Sequence, residues 1–128
     1  RKNPCVLWMP PVKPSEVLEY AQDADVGLVL IEDTCLSYRY SLPNKLFELY
    51  LSRVPVLVSD LPELRRFVDD RRAGWVVRPE LTSVTMMLNK LDKPEIEEIR
   101  RGVATCMRSD CWAIESSYYL KIVQSLPT

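Results

Sequence analysis

Four short apolar runs, Val6–Met9, Val26–Ile31, Pro55–Ser59 and Trp75–Val77, alternate along the chain with segments of helical periodicity. Runs this short and this continuously apolar suit strands buried on both faces, and connections of this length join strands in parallel through right-handed crossovers. The expected fold class is therefore α/β: a Rossmann-like half domain of about four parallel strands, with helices on both faces and a helical C-terminal segment. Between the first two runs, Ser15 stands where it can cap a helix whose Val17, Leu18 and Ala21 share a face. After the second run comes a polar loop and then an amphipathic helix over Leu42–Ser52. Asp60-Leu61-Pro62-Glu63 reads as a capping box with proline in the first turn, opening a helix through Leu64, Phe67 and Val68 that ends before Gly74. Beyond Val77 the pattern is wholly helical. Val84, Met87, Leu88 and Leu91 form one stripe, and Ile96, Ile99, Val103 and Met107 form a second after a cap at Asp92 with Glu95. A last helix from Trp112 to Leu126 presents Tyr119, Ile122 and Val123.

Charge and residue usage narrow the function classes. With 17 basic against 18 acidic side chains, the chain has no basic field to hold a nucleic-acid backbone. It contains no histidine, which removes Ser-His-Asp, Cys-His and histidine-zinc chemistry. The cysteines at positions 5, 35, 106 and 111 form no CxxC pair, so no metal site is expected and the thiols read as reduced cysteines of a cytosolic chain. None of the three glycines builds a GxGxxG turn or a P-loop, so no self-contained dinucleotide or ATP cradle is encoded. No apolar run approaches the ~20 residues that cross a bilayer. Because Arg1 leads directly into an apolar segment, residues 1–128 are read as one unit cut from a longer protein.

In open α/β sheets ligands gather beyond the carboxyl ends of the strands, which directs attention to the loops after Met9, Ile31 and Ser59. The helix following the longest of these loops is sharply divided. At about 100° per residue, Ser41, Asn44, Lys45, Glu48 and Ser52 share one arc, and the remaining positions are apolar or proline. Pro43 gives up a donor, leaving the N–H groups of Leu42, Asn44 and Lys45 for an anion at the positive end of the helix dipole. Glu48, one turn further in, can accept two sugar hydroxyls. The plainer reading of the same spacing is a solvated helix face with Lys45 and Glu48 as a weak pair.

Ser41-Leu42-Pro43-Asn44-Lys45-Leu46-Phe47-Glu48-Leu49-Tyr50-Leu51, followed by Pro55-Val56-Leu57-Val58-Ser59-Asp60-Leu61-Pro62-Glu63, closely resembles the stretch S-L-P-N-K-x-F-E-Y-L…P-V-x-x-S-D-x-P-E of group 1 (family 4) glycosyltransferases with the GT-B fold. Ala24-Asp25-Val26-Gly27-Leu28 is similar to the family's A-D-x-G-L entry into a strand, Ala73-Gly74-Trp75-Val76-Val77 to its G-x-x-V strand, and Trp112 with the following helix to its closing segment. The resemblance implies that the chain is the second half of the nucleotide-sugar-binding C-terminal domain. The family's glycine-containing turn, its basic diphosphate-binding residues and its acceptor domain would then belong to the longer chain.

What the resemblance implies about chemistry is retaining transfer of a sugar from a nucleotide diphosphate-sugar donor to an acceptor, by a hexosyltransferase-like enzyme that needs no metal or other cofactor. Glu48 matches the second glutamate of the family's paired-glutamate motif, which holds the ribose; the first would fall at Tyr40 and is replaced. Asn44 and Lys45 supply amides to the departing diphosphate, Ser41 and Leu42 belong to the same element, Lys45 and Arg39 are candidate charges, and Pro10 and Val12 are candidates to wall the nucleobase. The catalytic group is not assigned. Expected partners are the donor nucleotide and the acceptor domain of the longer chain, with no nucleic acid and no transmembrane segment. The expected location is the cytoplasm, or for the longer chain the surface of a membrane. Taken alone, the chain is expected to transfer no sugar, and an uncovered strand edge is expected to make it self-associate. The competing class is a non-catalytic interaction or scaffold domain that keeps the glycosyltransferase fold, a reading that Tyr40 fits.

Overall fold

The computed structural model describes residues 5–106 and 112–125. Its centre is a parallel sheet of three strands, β1 (Gly27–Val29), β2 (Val56–Ser59) and β3 (Gly74–Val77), in the order β1-β2-β3. Gly27 faces Val56 and Val56 faces Gly74, so the register runs straight across the sheet. The α/β class and parallel pairing follow from the sequence pattern as expected, but the sheet has three strands where about four were expected. Val6–Met9 is the missing one. It joins no ladder and is exposed at every residue, and a strand gains its hydrogen bonds only from a paired neighbour.

Alternation along the strands divides the side chains between two faces. Val29, Val56 and Val58 face α3 (Asn44–Leu51) and α4 (Pro62–Arg71), and form with Leu46, Leu49, Tyr50, Leu64, Phe67 and Val68 the main core. α3 and α4 meet through Phe67, whose ring is approached edge-on by Phe47 and Tyr50 at 5.5 and 5.3 Å. Glycine lets α3 approach β1 closely. A Cβ on Gly27 would meet Leu49 Cδ1 at 2.5 Å, so α3 rests on backbone at this point. On the opposite face, Trp75 donates its indole N–H to Glu95 of α6 (Lys93–Cys106) at 2.9 Å.

Helix boundaries depart from the pattern where the side chains find other partners. The first helix opens at Lys13 through a single 3-10 turn, Pro14–Glu16, before α1 (Val17–Ala21), because Pro14 presets the first turn and Glu16 accepts the Lys13 N–H at 3.3 Å. Ser15 is therefore not the cap. α4 is capped by Leu61 without a side-chain bond, since the Asp60 carboxylate is taken by Arg65 at 2.8 Å. The loop after β1 contains α2 (Leu36–Arg39), a single turn too short to leave a periodicity. Ser52, placed on the polar arc by its spacing, is buried instead, and its hydroxyl shares its one proton between Leu18 O at 3.0 Å and Glu48 O at 2.8 Å, tying α3 to α1.

α5 (Leu81–Lys90) half-buries Val84 and Met87 and leaves Leu88 exposed. α6 starts as expected, with Asp92 Oδ1 accepting the Glu95 N–H at 2.9 Å, and buries Ile96 and Val103; Met107 lies outside the described residues. Its Arg100 donates to Gln22 O at 3.2 Å and Ala24 O at 2.8 Å, which fixes α6 to the turn leading into β1. α7 (Trp112–Gln124) presents Tyr119, Ile122 and Val123 to solvent; Leu126 lies outside the described residues. Among the described residues no helix is long and apolar enough to cross a membrane.

Candidate functional site

Beside the carboxyl end of β1 lies an open cleft of ≈ 640 Å³. Leu30, Ile31, Tyr38 and Pro43 give it apolar walls, and Glu32, Thr34, Ser37 and Ser41 give it polar groups. This is the position at which parallel sheets collect ligands, since the chain leaves each strand here and loops are free to vary. Two hydrogen bonds build it. Ser59, fully buried at the end of β2, accepts the Ile31 N–H on Oγ at 2.6 Å and so holds the loop against the sheet. Ser41 donates from its hydroxyl to Tyr38 O at 3.0 Å, which turns the chain out of α2 and toward α3.

α3 opens on this cleft. Pro43, its N-cap, lines the wall, and Leu46 is the first residue whose N–H finds a carbonyl of the helix, at 2.9 Å from Pro43 O. The N–H groups of Asn44 and Lys45 therefore have no acceptor in the helix, and they stand at the positive end of its dipole. Leu42 lies just before α3 and lines a separate groove with Phe47 and Phe67 between α3 and α4.

The other sequence-derived candidates divide. Lys45 is exposed and makes no ion pair among the described residues, so its charge is available. Arg39 pairs with Asp33 at 3.4 Å, which offsets its charge. Glu48 is half-buried on α3, and its carboxylate has no hydrogen-bond or ion-pair partner among the described residues, while its backbone carbonyl accepts from Ser52. Tyr40 ends α2 with its ring exposed. Of all these, Ser41 alone lines the cleft, with Asn44, Lys45 and Glu48 on the helix that leaves its rim. Pro10 is exposed, Val12 half-buried, and neither reaches the cleft.

Sequence reasoning missed Tyr38 and Ser59. Tyr38 was hidden because α2 is too short to mark a face. Ser59 was hidden because its partner, Ile31, is distant along the chain. Replacing Ser59 by alanine leaves the Ile31 N–H without an acceptor, at an expected cost of about 1–3 kcal/mol. Urea unfolding of the two forms checks this, and an unchanged midpoint would remove Ser59 from the account of how the cleft is held.

Comparison of the chain with protein-family models finds no matching family, and comparison with curated proteins and with solved structures finds no match.

Proposed function

We propose that the cleft beside β1 takes the nucleoside diphosphate part of a nucleotide-sugar donor, and that the chain is the donor-binding part of a retaining, hexosyltransferase-like glycosyltransferase. The observation that carries this reading is that Ser41 and Pro43, which open the element similar to the glycosyltransferase stretch, line a cleft at the carboxyl end of a parallel strand, and that α3 with Asn44, Lys45 and Glu48 starts there. In this reading the Asn44 and Lys45 amides and the Lys45 ammonium meet the diphosphate, so that charge gathering on the leaving group faces donors already in place. Tyr38 and Pro43 offer flat apolar surface to a base or a sugar ring. Glu48 accepts ribose hydroxyls, which its unpartnered carboxylate leaves it free to do.

Titration calorimetry with a nucleoside and its diphosphate tests the central step. An anion at a helix N-terminus gains about 0.3–2 kcal/mol, so the diphosphate is expected to bind about 2- to 30-fold more tightly than the nucleoside. Equal affinities, or no heat from either, would overturn the assignment of the α3 amides to phosphate.

A further inference from the structure

The cleft beside β1 holds a charge that the contacts to base, ribose and diphosphate leave unused. Glu32 lines it, and no hydrogen bond or ion pair engages the Glu32 carboxylate among the described residues. Its neighbour Asp33 differs, being matched by Arg39 at 3.4 Å. The backbone around Glu32 is held on both sides. Ile31 donates its N–H to Ser59 Oγ at 2.6 Å, and the Glu32 carbonyl accepts the Thr34 N–H at 2.9 Å. Glu32 and Thr34 are thus joined by a tight local turn, and both line the cleft.

A carboxylate in this position sorts the two ends of a ligand that carries a diphosphate. Like charges repel, so the diphosphate belongs at the positive end of α3, and what lies against Glu32 is a part of the ligand without negative charge. Thr34 and Ser37 add hydroxyls that donate and accept, and Tyr38 adds an aromatic ring. Acceptors, two-way hydroxyls and an apolar ring face together suit a sugar, whose hydroxyls surround an apolar ring. Arg39 is held by Asp33 and does not line the cleft, and Lys45 stands on α3.

We propose that Glu32, with Thr34 and Ser37, holds the sugar of the donor and selects an uncharged hexose over a uronate. This selection presupposes the donor-binding reading and adds to it the class of sugar that the donor carries. The Glu32 carboxylate accepts hexose hydroxyls in charge-assisted hydrogen bonds. A hexose ring is shorter than the screening length of about 8 Å at physiological salt, so a carboxylate anywhere on the sugar is repelled by Glu32.

Calorimetric titration tests it. The chain is titrated with uridine and guanosine diphosphates, and the tighter of the two fixes the pair of sugar esters: glucose and glucuronate on uridine diphosphate, or mannose and mannuronate on guanosine diphosphate. The hexose ester is expected to bind about tenfold more tightly than the uronate. In 1 M salt, where the screening length falls to about 3 Å, that preference shrinks. Glu32→Gln keeps the size and an acceptor oxygen but loses the charge, and removes most of the preference. Its melting temperature should match that of the unaltered chain, because Glu32 is exposed and loses no internal partner. The salt series uses the unaltered chain and decides even where the variant fails to fold. If neither diphosphate binds, the donor-binding reading falls and the sugar selection falls with it. If a diphosphate binds but hexose and uronate bind equally, or if the preference ignores salt or survives Glu32→Gln, the sugar selection alone is overturned.

Discussion

Gly74→Ala is expected to cost the chain about 2–6 kcal/mol, a large share of the stability of a domain. Gly74 opens β3 at φ 156°, a backbone conformation that L side chains rarely adopt, and a Cβ there would fall inside the van der Waals envelope of the Val56 carbonyl oxygen. The obstacle is backbone in the central strand, so no side-chain rotation relieves it. Either β3 moves off β2 or Val56 loses its place in the ladder. Overpacking of about 1–3 kcal/mol and backbone strain of about 1–3 kcal/mol fall on the same residue, against a total stability of about 5–15 kcal/mol for a domain. Gly102→Ala is the matched control. A Cβ on Gly102, inside α6, meets nothing within 4 Å, and alanine there should stabilise the helix by about 0.8–1 kcal/mol. Circular dichroism with thermal melting therefore reads opposite signs from two identical chemical changes. A folded Gly74→Ala with an unchanged melting temperature would mean that β2 and β3 do not pair as described.

The three strands that form are legible because each apolar run is bounded by Pro, Gly or Asp and each has a neighbour to bond. Val6–Met9 has the same composition and forms nothing, since composition records a preference for the strand state but not the presence of an edge. Caps fail for a related reason. Ser15 and Asp60 have the right side chains, but Pro14 starts its helix two residues earlier than a Ser15 cap would and Arg65 takes the Asp60 carboxylate. Asp92 caps as its spacing requires because nothing competes for it.

The candidate site is legible to the extent that it depends on local order. The position of α3 after a strand's carboxyl end follows from the alternation of elements, and so does the pair of free amides behind Pro43. The Arg39–Asp33 pair and the hold of Ser59 on Ile31 depend on how the loop folds back, which no periodicity encodes. The polar arc was correct for Asn44, Lys45 and Glu48 and wrong for Ser52, whose hydroxyl satisfies the carbonyls of Leu18 and Glu48. Angular position on a helix places a side chain; it does not say whether another helix lies above it.

Glu48 is the residue that most sharply separates the donor-binding reading from a solvated helix face. The residue is half-buried and its carboxylate is unpartnered among the described residues, so it holds hydrogen-bonding capacity that the fold does not use. Suppose it accepts two ribose hydroxyls. Glu48→Gln keeps the shape of the side chain and loses charge-assisted hydrogen bonds, at a cost of about 1.5–3 kcal/mol, so nucleoside diphosphate affinity should fall by about 10- to 150-fold. The fold should hardly notice, because no internal partner is lost and a substitution of this kind stays within about 0.5 kcal/mol in stability. The expected signature is thus a large loss of affinity with an unchanged melting temperature. A phosphate-only contact would give a different pattern, since inorganic diphosphate has no ribose and should bind both forms equally. Calorimetric titration of the two forms with a nucleoside diphosphate and with inorganic diphosphate separates these cases. Equal affinity of both forms for the nucleotide would return Glu48 to the solvent-facing side of α3 and leave the cleft without a ribose contact.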